Sequence, residues 1–201
     1  NCMIPYVSLV DAGTVELVRS LGKEVVSSAS LVQYFEARWT EAQFAQHKEA
    51  GVAVDLTRRE AFELIGERLK AGQEITERQV ADFILQRFSE RGLVTDSGPI
   101  VAVNANSGDP HYQPGQPSSP IFENDFVLID LWAKLNQPGA VYYDVTWTGW
   151  CGAEVRGDIQ LVFEAVRDAR DAGLAAVDKA IREGRPIAGF EVDDVVRKHI
   201  S

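Results

Sequence analysis

Hydrophobic positions change their spacing about halfway along this chain. From Thr40 to Gly92 they recur every three or four residues, and beyond about residue 94 they alternate or run together between Pro- and Gly-rich loops. Thr40 with Gln43 makes a capping box that opens a long helix, with Phe62, Ile65 and Leu69 as its stripe and Gly72 at its exit. Thr76 with Gln79 repeats the device; Val80, Phe83, Ile84 and Phe88 form the buried face of the second helix, and Gly92 ends it. Upstream, residues 5–27 read as a short strand, a helix and a second strand, and SASLVQYFEARWT reads as a connecting helix. Downstream, GPIVAVNANSG is expected to be one strand, and FVLIDLWAKL and VYYDVTWTG to pair around a Pro-Gly turn. Residues 157–184 then place Ile159, Val162, Phe163, Val166, Leu174, Val177 and Ile181 at helical spacing, and a last amphipathic start sets Val192, Val195 and Val196 on one side. The expected class is α+β, an antiparallel sheet covered by long helices.

Each strand of the hairpin carries an aspartate among hydrophobic neighbours. A carboxylate there costs free energy unless something pairs with it. Centring the register on Gln137 sets Asp130 opposite Asp144, Trp132 opposite Tyr142 and Lys134 opposite Ala140. Leu131, Ala133 and Leu135 then face Val141 and Tyr143, so one surface is apolar and the other carries both acids. Facing like charges, about 5 Å apart, destabilise a strand pair. Protonation of one acid, an intervening base or a bridging cation would relieve them. Lys134 lies too near the turn to bridge. Aspartates also sit on solvated sheet edges, and the hairpin alone leaves both readings open.

Composition narrows the field. At 201 residues the chain can bury one sizeable core in one or two domains. A formal charge of -10 with no basic block argues against binding nucleic acid, and no apolar run approaches the roughly 20 residues that span a bilayer. Cys2 and Cys151 are too few for a disulfide framework and read as reduced thiols in a cytoplasmic protein. Cys151 has no histidine base beside it and reads as a small hydrophobe; His47 reads as a surface or satisfied helical histidine. Trp132, Tyr142, Trp147 and Trp150 read mainly as sheet packing, with Trp132 and Tyr142 on the aspartate face. Phosphate loops, dinucleotide fingerprints and serine-nucleophile elbows are absent.

Read in order, NANSGDPHYQP, VLIDLWAKL and VYYDVTWTG resemble the pita-bread metallopeptidases, the family of methionine aminopeptidase, aminopeptidase P, prolidase and creatinase. The likeness runs from about Thr40 to the end and is greatest to aminopeptidase P and prolidase, the Xaa-Pro peptidases. It implies that residues 1–39 are the tail of an N-terminal domain and a connecting helix. Residues 40–201 would be the N-terminal half of a pita-bread catalytic domain. It also implies that Asp130 and Asp144 are metal ligands, Asp144 bridging two divalent ions and Asp130 chelating one. The ions would be manganese, with zinc or cobalt able to substitute, and would hold and acidify the water that attacks the peptide carbonyl. His111 would donate a hydrogen bond to the substrate or to the tetrahedral intermediate. The implied substrate is a peptide with proline at its second position.

Two departures qualify the resemblance. The 14-position separation of Asp130 and Asp144 exceeds the family's usual eleven by three, which LNQPG would absorb as an extended turn. The family's later histidine segment and its two glutamate ligands have no counterpart, and His199 lies on a stripe with Val192 and Val196, not in a ligand position. The resemblance is thus to a chain truncated before the last three metal ligands, which alone should bind metal weakly and hydrolyse little. The face that would pack on the second half should be apolar and exposed, a route to homo-oligomers or other self-association. A different class of reading is a non-catalytic peptide-binding or scaffold protein of the same fold. A metal-free creatine-type hydrolase is disfavoured by the aspartate pair.

Overall fold

The computed structural model describes residues 10–115 and 117–201. Its elements in chain order are α1 (Ala12–Ser20), α2 (Ala29–Glu36), α3 (Glu41–Lys70), α4 (Glu77–Glu90), β1 (Leu93–Val94), β2 (Ile100–Val103), β3 (Phe126–Leu135), β4 (Tyr143–Trp150), α5 (Gly157–Arg182) and α6 (Gly189–Ile200). Both capping boxes form. Gln43 Oε1 accepts from the Thr40 N–H at 2.9 Å while Thr40 Oγ1 accepts from the Gln43 N–H at 3.2 Å, and Thr76 and Gln79 reproduce the exchange at 2.9 and 3.3 Å.

β3 is the central strand. It pairs antiparallel with β1 and β2 along one side and with β4 along the other. Its alternate residues Val127, Ile129, Leu131 and Ala133 are fully buried, and Phe126, Leu128, Asp130, Trp132 and Lys134 between them are half-buried. α3 and α4 cover the buried surface. α3 turns Ala50, Gly51, Val54, Thr57, Ala61 and Ile65 inward, a 3.6-residue stripe of mostly small side chains that lets a 30-residue helix lie close to the sheet. α4 adds Val80, Ile84 and Phe88. A polar seam joins the helices: Arg91 donates to Thr57 Oγ1 at 2.8 Å and to Glu60 at 2.6 Å, and Arg87 Nε lies 3.2 Å from the same carboxylate.

Three expectations need correction. The hairpin register is centred on Pro138, not Gln137: Asp130 pairs with Thr146, Leu131 with Val145, Trp132 with Asp144 and Ala133 with Tyr143. Residues 136–142 form the connection, tightened by Gln137 N–H to Leu135 O at 2.8 Å and Ala140 N–H to Gln137 O at 3.2 Å, with Gly139 at φ +73°. Val141 and Tyr142, expected to pair, are spent on reaching β4. Second, the strand in GPIVAVNANSG stops at Val103. Asn104 turns left-handed at φ +49°, and its side chain accepts from the Phe126 N–H at 3.0 Å and donates to Asp125 at 2.7 Å. Third, residues 23–28 form no strand; positions 5–9 of the strand expected before α1, and Cys2, lie outside the described residues.

α5 also differs in what it buries. Its inward positions are Ala169, Gly173 and Ala180, a small-residue stripe against α6, where a methyl at Gly173 would meet Val196 at 2.9 Å. Val162, Phe163, Val166, Leu174 and Ile181 are instead 49–69% exposed. Leu17, Leu31 and Phe35 on α1 and α2 stand open in the same way.

The close approach of α3 and β4 gives a signed test. A Cβ at Gly51 would lie 2.8 Å from the Tyr143 ring, whereas one at Gly66, on the same helix, meets nothing within 4 Å. Gly66→Ala should stabilise the protein by about 0.5–1 kcal/mol through helix propensity. Gly51→Ala should destabilise it by about 1–2 kcal/mol in spite of the same propensity gain, because a packed ring must move. Urea unfolding of the two variants measures both signs.

Candidate metal centre

Asp130 and Asp144 lie on one surface of the sheet. The difference between the expected and observed registers is two residues, and side chains alternate with period two, so parity survives. Trp132 pairs with Asp144 and follows Asp130 by two positions, which makes the two acids diagonal neighbours, not directly facing ones. Such neighbours stand about 7–8 Å apart at the backbone, and their side chains can lean together. Asp144 is exposed, yet protein around it strips part of its solvent. Partial loss of solvent first, and the negative charge of Asp130 second, push its carboxyl above the ordinary carboxylate range.

Neighbouring side chains fix this surface. Thr146, directly opposite Asp130, donates its hydroxyl to Asp130 Oδ1 at 2.7 Å. The Trp132 indole N–H donates to Asp96 at 2.9 Å, which holds the Asp96 carboxyl below its usual range and pins the ring beside both acids. Lys134 is drawn away, with Nζ 4.7 Å from the centre of the Tyr142 ring, so it does not bridge the aspartates. α5 nears this face only at its far end, where Ile159 and Phe163 share a groove with Phe126, Thr148 and Trp150.

The donor set suits a hard divalent cation as far as it goes: two carboxylates on one open face, with a like-charge strain that a cation would relieve. It goes only part of the way, because among the described residues no three of His, Cys, Asp and Glu gather where they could hold a metal ion. His111 sits elsewhere in the chain's path, on the long loop after β2, the strand whose Ile100 pairs with Asp130. Its backbone N–H donates to Asp109 Oδ1 at 2.9 Å, and the exposed imidazole joins neither aspartate by a hydrogen bond.

Other expected residues fall as follows. His47 Nδ1 lies 2.9 Å from the Tyr142 carbonyl, which can only accept, so that nitrogen carries the proton; the ring packs between Trp39 and Tyr143. Cys151 packs against the core, and burial, then the nearby Asp125 charge, push its thiol up to about 11, so it is not a nucleophile at neutral pH. Trp147 faces α3 instead, with the Arg58 guanidinium 4.0 Å above it. His199 is exposed on α6. A groove of about 1130 Å³ between Phe62 and Leu69 of α3 and Trp150 at the end of β4 is lined by neither aspartate and not by His111.

One residue escaped the sequence reading. Glu77, in the first turn of α4, is fully buried and accepts hydrogen bonds from the Val103 N–H, Asn106 Nδ2 and the Tyr112 hydroxyl at 2.7, 2.9 and 2.7 Å. An acid in a helix's first turn is ordinary, and its partners lie far along the chain, so local pattern could not mark it.

The chain belongs to metallopeptidase family M24, whose model matches residues 45–201. Its α+β architecture is that of the family's pita-bread domains. Among solved structures it is similar to the dipeptidase PepE of Mycobacterium ulcerans, at 23% identity and TM-score 0.67 over 96% of this chain and 47% of that one. The X-prolyl aminopeptidase of Caenorhabditis elegans, described as a cytosolic enzyme with a di-nuclear active site, matches at 22% identity and TM-score 0.69 over 85% and 27%. The prolidase of Pyrococcus furiosus matches at 20% and 0.64 over 96% and 52%. The chain thus spans between about a quarter and a half of the length of these neighbours. No curated protein sequence matches it.

The raised Asp144 carboxyl carries a pH signature. A group whose pKa is higher in the folded state favours folding while protonated; that stability is present below the unfolded value and is lost as pH rises through the folded one. Asp144→Asn stays neutral throughout. Its melting temperature should exceed the parent's at pH 7, and the gain should vanish near about pH 3, where the parent is protonated as well. Calorimetric melts of both proteins at the two pH values measure it.

Proposed function

We propose that this chain is part of an Xaa-Pro-type metallopeptidase in which Asp130 and Asp144 are metal ligands and His111 is a hydrogen-bond donor to substrate. In this reading residues 1–39 are the tail of a preceding domain with its connecting helix, and residues 40–201 are the first half of the catalytic domain. The observation that carries it is the aspartate pair on one open sheet face, the two acids close enough for Asp130's charge to raise the Asp144 carboxyl. Family membership supports the metallopeptidase class, and the prolidase and X-prolyl aminopeptidase among the structural neighbours support a substrate with proline at its second position.

Two divalent ions, manganese or in its place zinc or cobalt, would supply Lewis-acid activation of water at Asp130 and Asp144. The chain's own groups act around them. Thr146 holds the Asp130 carboxylate by its 2.7 Å hydrogen bond, and Trp132, tethered to Asp96, walls the site between the acids. The His111 imidazole would donate to the carbonyl oxygen as negative charge develops there. With two carboxylates the first shell is incomplete, so the chain by itself binds metal weakly and turns over little peptide. A cytoplasmic location belongs to this reading and is supported by the Caenorhabditis elegans neighbour described as cytosolic; no described helix is long and apolar enough to cross a membrane. The same shortage of ligands favours a second reading, a non-catalytic peptide-binding or scaffold protein of this fold.

Isothermal titration with manganese separates these readings. Binding should be weaker than micromolar and should disappear in Asp130→Asn and in Asp144→Asn. Micromolar or tighter binding would refute the half-built site, and residual binding unaffected by both substitutions would refute the ligand assignment. Total absence of binding would favour the scaffold reading. The open apolar residues of α5 predict self-association: sedimentation velocity should show dimers or larger species growing with concentration. Phe163→Lys with Val166→Lys should shift the chain to monomer.

A further inference from the structure

Among the described residues Glu77 is the only fully buried acid, and the three partners of its carboxylate lie at the stem or within the loop that carries His111. Oε1 accepts from the Val103 N–H, where β2 ends and the loop departs, and from Asn106 Nδ2 two residues after the left-handed Asn104. Oε2 accepts from the hydroxyl of Tyr112, the residue next to His111. The returning end of the loop is held to the same helix start. The Glu77 N–H donates to Ser119 O at 3.1 Å, the Arg78 N–H to Ser118 Oγ at 3.0 Å, and Thr76 bridges to Pro120. Asn106 Nδ2 also reaches the Tyr112 hydroxyl and Ser119 Oγ, at 2.9 and 3.2 Å, so the departing and middle parts of the loop meet at the carboxylate and the returning part joins them through Asn106 and the Glu77 N–H.

A buried carboxylate is tolerated only where donors converge on it, and here three do, at the positive end of a 14-residue helix. A neutral Gln is a poorer substitute, because it lacks the charge that two N–H donors converge on at Oε1, and its amide nitrogen would force the Tyr112 hydroxyl to turn from donor to acceptor. Tyr112 keeps its proton as well: burial, then its hydrogen bond to Glu77, push the hydroxyl up, so it remains a donor at ordinary pH. The core does not need this acid, since α4 already has its cap in Thr76 and Gln79 and its apolar face in Val80, Ile84 and Phe88.

We infer that Glu77 is a positioning residue: through Tyr112 and Asn106 it sets the place and stiffness of the turn that presents His111. The inference rests on the proposed role of His111 for its functional meaning, and on geometry alone for its mechanics. Glu77 is set apart from the acids of the sheet face; it would act by holding the donor's loop, never by touching substrate.

The test uses the whole chain without metal or peptide. In Tyr112→Phe, one donor to Glu77 is removed and both helix caps stay. Amide hydrogen exchange in residues 104–115 should accelerate at least about tenfold, the scale of one hydrogen bond to a charged acceptor, while β3 amides change less than about twofold. Imidazole ¹⁵N relaxation should show the His111 ring loosened and the His47 ring, held on Tyr142, unchanged. Glu77→Gln should give the larger loop effect, with Glu77→Asp milder than Glu77→Gln because it keeps the charge. Unchanged loop exchange in Tyr112→Phe, or acceleration of β3 to the same degree as the loop, would overturn the assignment. A failed manganese titration at Asp130 and Asp144 would leave this result standing, so the two failures are distinguishable.

Discussion

The parity of β3 is the constraint on which the remaining structure depends. The strand has partners on both sides, so its backbone groups are committed and its side chains have two destinations only. Val127, Ile129, Leu131 and Ala133 go under α3 and α4 with no exposure; the intervening residues go to the other face. Burying four apolar side chains is worth several kcal/mol, and a one-residue slip would forfeit all of it while driving Asp130 and Lys134 beneath a helix. A two-residue slip has no such cost. That is why the acids share a face even though the connection between their strands takes up more residues than its Pro-Gly turn suggests.

The helices answer to the same surface. α3 can cross β3 and β4 closely because its inward stripe is built mostly from alanine, glycine, valine and threonine, and Gly51 marks one close point, against Tyr143. That contact places the β3–β4 connection, which His47 then clips to α3 through the Tyr142 carbonyl. The aspartate-bearing side is therefore shaped from behind: packing on α3 sets where β4 lies, and β4 carries Asp144 and Thr146. α4 contributes differently, with its apolar residues to the core and its first turn to the loop.

How much of this could be read from the residues depends on the distance over which each cause acts. The two capping boxes, the alternation along β3 and the order of the loop histidine and strand aspartates are local, and each was legible. The register was not, because it turns on how many residues the connection consumes, and Val141 and Tyr142 are as apolar as strand residues. Nor was the buried stripe of α5: Phe163, Val166 and Leu174 outweigh Ala169, Gly173 and Ala180 on any hydropathy scale, yet helix packing selects small side chains where α6 comes close. Glu77 was hidden for a third reason. Its partners lie 26 to 35 positions downstream, and nothing within a helix turn tells an acid bound for solvent from one that a loop folds over.

The α5–α6 pair has a thermodynamic meaning beyond its shape. Its two helices are joined mainly to each other, through the glycine-backed contact with Val192 and Val196, and they meet the sheet only around Phe126 and Trp150. Cohesion inside the hairpin is therefore nearly uncoupled from cohesion inside the sheet layer. Such a molecule should melt in stages, its hairpin fraying while β3 still holds its ladder bonds, so the unfolding free energies that report on Gly51 and Gly66 belong to the sheet layer's own transition.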